Sequence, residues 1–159
     1  MIINDLIKHY ESIVPKGAAW EKDNVGLQIG NLNVPVKNIF LCLEVTKQAL
    51  NTAINKNCNL IITHHPLIFN PIKKIDTSKG IGNLIADIIK NDITVYSSHT
   101  NLDFNKGGVS FELAKQLKLT ELKFLSNFDK NQYKMAVFVP QENVESVAEA
   151  IFNAGGGLI

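Results

Sequence analysis

Apolar residues recur along this chain with two periods, one of three to four residues and one close to two, and the switches between them predict the elements. Ile3, Leu6, Ile7, Tyr10, Ile13 and Val14 share one helical face, which Pro15 and Gly17 close. A polar turn at Lys22-Asp23-Asn24 leads into the alternating stretch Val25-Gly26-Leu27-Gln28-Ile29-Gly30, a short strand. Taken alone, Asp23-Asn24 reads as a turn, because Asp and Asn side chains hydrogen-bond their own backbone in turns. From residue 38 the rhythm is regular. Residues 38–43 predict a buried strand, Thr46 caps a helix with Ala49, Leu50, Ala53 and Ile54 on its apolar face, and residues 60–63 predict a second strand. Residues 81–91 predict a helix with Leu84, Ile85, Ile88 and Ile89 on one face, and residues 94–98 a strand. Val109, Leu113, Ala114 and Leu117 then mark the inward face of another helix. Strands alternating with helices of this length predict an α/β fold, a mostly parallel or mixed sheet flanked by helices on both faces.

The rhythm breaks over residues 120–132. Residues 133–139 read as a new strand that Pro140 ends, and Val144, Val147, Ala148, Ile151 and Phe152 mark a helix stopped at Gly155-Gly156-Gly157. One strand and one helix cannot bury both of their apolar faces alone, so a second unit is expected to begin near residue 133 and to be unfinished. The expected division is 1–125 and 132–159.

At 159 residues the chain holds one ordinary domain and part of another. Its net charge of +1 gives no electrostatic case for nucleic acid or an acidic membrane as partner. Cys42 and Cys58 have no CxxC spacing, so neither a zinc knuckle nor a disulfide framework is expected, and both read as reduced thiols. The N-terminus has no basic and apolar leader pattern and no apolar run approaches transmembrane length, which together predict a cytoplasmic protein.

The chemistry concentrates in two places, and three of the four histidines lie there. Ile61-Ile62-Thr63-His64-His65-Pro66 and Tyr96-Ser97-Ser98-His99-Thr100-Asn101-Leu102-Asp103 each carry histidine just past an apolar strand. Parallel α/β sheets bind ligands beyond the carboxyl ends of their strands, so both groups are expected to open onto one edge. A histidine beside a strand is more often hydrogen-bonded structure than ligand, but three histidines and an aspartate after two parallel strands favour a metal site. Neighbouring residues on an extended backbone point to opposite sides, so His64 and His65 are expected to diverge, one to each of two ions, with the Asp103 carboxylate bridging. Imidazole and carboxylate together suit Zn, Mn, Fe, Co or Ni better than Ca or Mg. Two such ions roughly 3.5–4 Å apart can activate a water and clamp a hydrolytic transition state. His99 reads as an outer partner or a proton relay rather than a ligand, because ligands need oriented support. Asn105-Lys106-Gly107-Gly108-Val109-Ser110 reads as a plain glycine turn, and no Walker or dinucleotide fingerprint is present.

Trp20 with Asp23-Asn24-Val25-Gly26-Leu27-Gln28-Ile29-Gly30, the His64-His65-Pro66 segment, and His99-Thr100-Asn101-Leu102-Asp103 followed by Gly107-Gly108-Val109 resemble, in order and spacing, the GTP cyclohydrolase I type 2 homologues. That family is also known as the Nif-like dinuclear metal centre hexameric proteins. The resemblance implies a cytoplasmic homohexameric ring, two divalent transition-metal ions per subunit, and His64, His65 and Asp103 as ligands. It implies a metal-dependent hydrolase of a nucleotide-like or phosphate-containing small molecule, with a non-catalytic metal-binding, metallochaperone or interaction protein as the alternative. The family completes its site with a histidine and a glutamate near its C-terminus, a motif this sequence does not contain. Residues 133–157 resemble the start of the ferredoxin-like domain that longer members insert, so the chain is expected to be a fragment that ends inside it. Two departures stand out: Glu21-Lys22 interrupts the usual Trp-Asp-Asn, and Glu44 replaces the usual aspartate.

Overall fold

A computed structural model describes residues 1–124 and 135–157. The chain divides into two compact units, residues 1–126 and 127–159.

In the first unit β2 (Asn38–Cys42), β3 (Cys58–Thr63) and β4 (Thr94–Ser97) run parallel, and β1 (Gly26–Ile29) pairs antiparallel with β4. The order is β1-β4-β3-β2, a four-stranded mixed sheet. The antiparallel edge is invisible in the hydrophobic pattern, because period-two alternation carries no direction. Side chains alternate across the central strands, and each face finds its own cover. Leu60 and Tyr96 pack with Ile3 and Ile7 of α1 (Ile3–Ile13). On the other face Ile61 and Val95 pack with Leu50 and Ala53 of α2 (Lys47–Asn55) and Ile88 of α3 (Gly80–Lys90). Among the described residues no helix is long and apolar enough to cross a membrane.

Both crossovers close tightly. The turns after α2 and α3 each place one residue in the left-handed region, Asn57 and Asp92, both at φ 52°. Asn and Asp tolerate that conformation better than most side chains. At the start of α2 the Thr46 hydroxyl accepts the Ala49 N–H at 3.1 Å, a cap that the sequence predicts. Thr46→Ala is expected to lower the unfolding free energy by about 1 kcal/mol, measurable as a shifted urea midpoint at constant slope.

The apolar faces of α2, α3 and α5 and the strand expected at residues 135–139 differ from expectation. The helix α5 (Val109–Gln116) forms, but Val109, Leu113 and Leu117 are 45%, 57% and 63% exposed instead of facing inward. The residues turned toward cover are Ala114, as expected, and Phe111, whose ring meets Phe124 edge-on at 5.1 Å. Helical spacing marks a face that needs cover without specifying what supplies it. Ile54 and Ile89 likewise remain exposed at the outer ends of α2 and α3. Finally, residues 135–139 are not a strand, since a strand exists only through pairing and no described segment pairs with them. Residues 133 and 134 of that expected strand lie outside the described residues. The helix α6 (Val144–Asn153) forms as expected, preceded by a single 3-10 turn, Gln141–Asn143.

Candidate metal centre

The parallel register aligns the carboxyl ends of β3 and β4, with Thr63 opposite Ser97. The next residues therefore emerge side by side, and the Ser98 N–H donates to the Thr63 carbonyl at 2.9 Å. On the other flank the His64 and His65 N–H groups donate to the Cys42 and Leu43 carbonyls at 3.2 and 2.8 Å. Backbone on both sides thus fixes the His-His segment. His99 follows β4 after Ser98, and the short helix α4 (Thr100–Asp103) carries Asp103 at its end.

The structure brings the three expected histidines together and places Asp103 beside His64. One ring nitrogen each from His64, His65 and His99 lies within 4.8 Å of the others. Ring centroids are 5.2 Å apart for His64 and His65, 5.2 Å for His64 and His99, and 5.7 Å for His65 and His99. His64 and His65 therefore converge, against the expectation of divergence. The reason is local: β3 ends at Thr63, and the Thr63 hydroxyl lies 3.1 Å from the His65 carbonyl, so the pair sits in a bend where strand alternation no longer applies.

Each imidazole is held from behind by its Nδ1. That nitrogen of His64 lies 3.0 Å from the Ser98 carbonyl, that of His65 3.0 Å from Glu44 Oε1, and that of His99 2.9 Å from Asp23 Oδ1. Carbonyls and carboxylates only accept, so each Nδ1 carries a proton, and in a neutral ring the lone pair is then on Nε2. His64 Nε2 is 3.7 Å from Asp103 Oδ1. That is too long for a hydrogen bond and close to the spacing of about 3.4 Å between two ligand atoms on one tetrahedral ion. The donor set fits a divalent transition metal: neutral imidazoles oriented by outer acceptors, plus one carboxylate.

The supports differ in depth. Ser98 is buried, and its hydroxyl accepts from Tyr10 at 2.6 Å and lies 3.3 Å from Asn101 Oδ1. Burial pushes the Tyr10 phenol up, so it stays a neutral donor. Glu44 is solvent-exposed. The Asp23 side chain is fully buried and takes hydrogen bonds from His99, from the Thr100 N–H at 3.1 Å and from the Thr100 hydroxyl. Burial by itself would raise its carboxyl, but these bonds outweigh that effect and hold it below the usual carboxylate range. Sequence reasoning missed this residue: Asp23-Asn24 has the composition of a self-contained turn, and its partners lie 76 and 77 positions away. The turn at Gly107-Gly108 is a plain close approach, in which the Gly108 N–H donates to Asn105 at 2.8 Å.

The Duf34/NIF3 (NGG1p interacting factor 3) family profile matches residues 1–156. A Bacillus subtilis protein named GTP cyclohydrolase 1 type 2 homolog is 44% identical over 155 residues, 97% of this chain and 42% of its own length. A like-named protein of Listeria monocytogenes is 42% identical over 150 residues, covering 94% of this chain and 40% of itself. Among solved structures, a Bacillus cereus protein related to NIF3 superposes at TM-score 0.77 with 42% identity, over 100% of this chain and 44% of that one. Reduced HcgD from Methanocaldococcus jannaschii superposes at 0.72 with 33% identity, over 80% of this chain and 51% of that one. The chain thus spans about two fifths of the length of the curated relatives it matches.

Proposed function

The chain belongs to the Duf34/NIF3 family, and from that premise we propose that it binds divalent transition metal through His64, His65 and Asp103 in a metal-dependent hydrolase. The substrate class we assign is a nucleotide-like or other phosphate-containing small molecule, in keeping with the name of the relatives. The observation that carries the reading is the set of three Nδ1-tethered imidazoles whose remaining nitrogens face one space beside a carboxylate.

An ion bound there supplies Lewis acidity toward a carbonyl or phosphoryl oxygen and acidifies water. The chain's own residues do the rest. His64 is held by a buried backbone carbonyl and is the least exposed of the three. His65 is more open, at 44% side-chain exposure, and its Glu44 partner can move with it. His99 is held at Nδ1 by Asp23, and its other nitrogen is the group assigned to take a proton from a reacting water; direct ligation would require the same nitrogen. Nitrogens spread over as much as 4.8 Å serve one ion after small side-chain movements, or divide between two, and two is the number we propose. Self-association as a hexameric ring belongs to the same proposal; the exposed apolar residues Ile39, Leu41 and Leu43 on and just after β2 support association of some kind.

A second reading, a metal-binding or interaction protein without turnover, is favoured by the family description, which names an interacting factor. The test is to load the chain with Co2+ or Zn2+, dialyse, count metal by elemental analysis and assay release of product from GTP and from a phosphate monoester. Bound metal with metal-dependent hydrolysis is expected. Metal without turnover would select the second reading, and no metal would overturn both.

A further inference from the structure

Asp23 sits behind the cluster; beside a local bond from the Asn24 N–H to its Oδ1 at 2.8 Å, its bonds to His99 and Thr100 define a task that none of the four site residues performs. Its Oδ1 accepts from His99 Nδ1 at 2.9 Å, while its Oδ2 accepts both the N–H and the hydroxyl of Thr100, the first residue of α4. That helix ends on Asp103, so one carboxylate is tied to His99 on one side and to the Asp103 segment on the other. The neighbouring backbone joins in: the Trp20 N–H donates to the Thr100 hydroxyl at 2.9 Å. The same segment also reaches the loop after His65. The Gln28 amide donates to the Asn24 carbonyl at 3.0 Å and accepts the Ile68 N–H at 3.1 Å.

We propose that Asp23 is a positioning residue that fixes His99 in its Nδ1–H form and sets α4, so that His99 Nε2 and the Asp103 carboxylate face the same space. The role rests on the metal-site reading, but its first consequence, the His99 tautomer, exists without metal. A carboxylate is required because it accepts on both oxygens. An amide cannot: turned to accept from Thr100 it presents its NH2 to His99 Nδ1, which must then become the acceptor and leave the proton on Nε2. An N–H aimed into the site can neither ligate nor take up a proton, and it repels a cation. Turned the other way, the amide sets a donor against two donors of Thr100.

The experiment is long-range 1H–15N NMR of the histidine rings in the metal-free chain near pH 8.5, about two units above the usual histidine pKa, with Co2+ titration followed by visible absorption. In the wild type His99 is expected as the Nδ1–H tautomer. In Asp23→Asn it is expected to shift toward Nε2–H, with Co2+ affinity lowered about 10- to 100-fold and an altered ligand-field spectrum. A purely structural role would lower the melting temperature while leaving tautomer and spectrum unchanged, and that result overturns the proposal. A wild-type His99 protonated on Nε2 overturns it too, whether or not the variant folds. Absence of Co2+ binding by the wild type would instead sink the metal-site reading, and the tautomer would still decide the role of Asp23.

Discussion

His64→Ala is expected to abolish stoichiometric metal binding while the chain stays folded. His64 is the least exposed of the three imidazoles, at 17% of its side chain, and the only one whose free nitrogen directly faces Asp103, at 3.7 Å. Its removal takes away the ligand nearest Asp103 and breaks the three-histidine cluster. The structural cost is modest. The Ser98 carbonyl loses the His64 Nδ1–H donor, at a cost of about 1–3 kcal/mol. Elemental analysis after dialysis against trace metal, beside a circular dichroism melt, separates the two effects. Equal metal content in variant and wild type would remove His64 from the site. A variant that is both metal-free and unfolded would point to a structural role.

Much of this arrangement is legible in the sequence because strand ends are legible. Two apolar runs of strand length, each followed by histidine, meet at one edge once the connecting helix makes the strands parallel, and the register of β3 on β4 does so. What resists reading depends on contacts remote in sequence or on the last residue of an element. Divergence of His64 and His65 follows from a strand that continues past Thr63, and this one bends there. The outward apolar face of α5 shows that periodicity gives a demand for cover and no supplier. Asp23 is the clearest case: its side chain has an adequate local use, so nothing nearby in sequence signals that His99 claims it. Buried polar residues whose partners lie far away are the part of a site that pattern reasoning loses first, and in this fold they orient the groups that pattern reasoning finds.

The same dependence on remote backbone makes Gly108→Ala the most damaging glycine substitution near the site. Gly108 has ordinary backbone angles, φ −81° and ψ −168°, so conformational freedom is not the reason for its glycine. The reason is proximity. A Cβ there would lie 1.7 Å from the Leu102 carbonyl oxygen, 2.9 Å from its carbon and 3.0 Å from the Asn105 oxygen. All three are backbone atoms, so no side chain can swing aside, and the turn between α4 and α5 must open. Leu102 adjoins Asp103, so the displacement that relieves the clash carries the carboxylate away from His64. Stability is expected to fall by about 3 kcal/mol, the upper end of overpacking costs, and metal affinity is expected to fall with it. Gly107→Ala is the control. Nothing lies within 4 Å of its Cβ, and its φ of 88° makes the cost one of backbone strain alone, about 1–2 kcal/mol, with the approach of Gly108 to Leu102 intact. Urea unfolding and Co2+ titration of both variants should rank Gly108→Ala below Gly107→Ala in stability and in affinity; the reverse order in affinity would mean that the contact with Leu102 does not hold Asp103 in place.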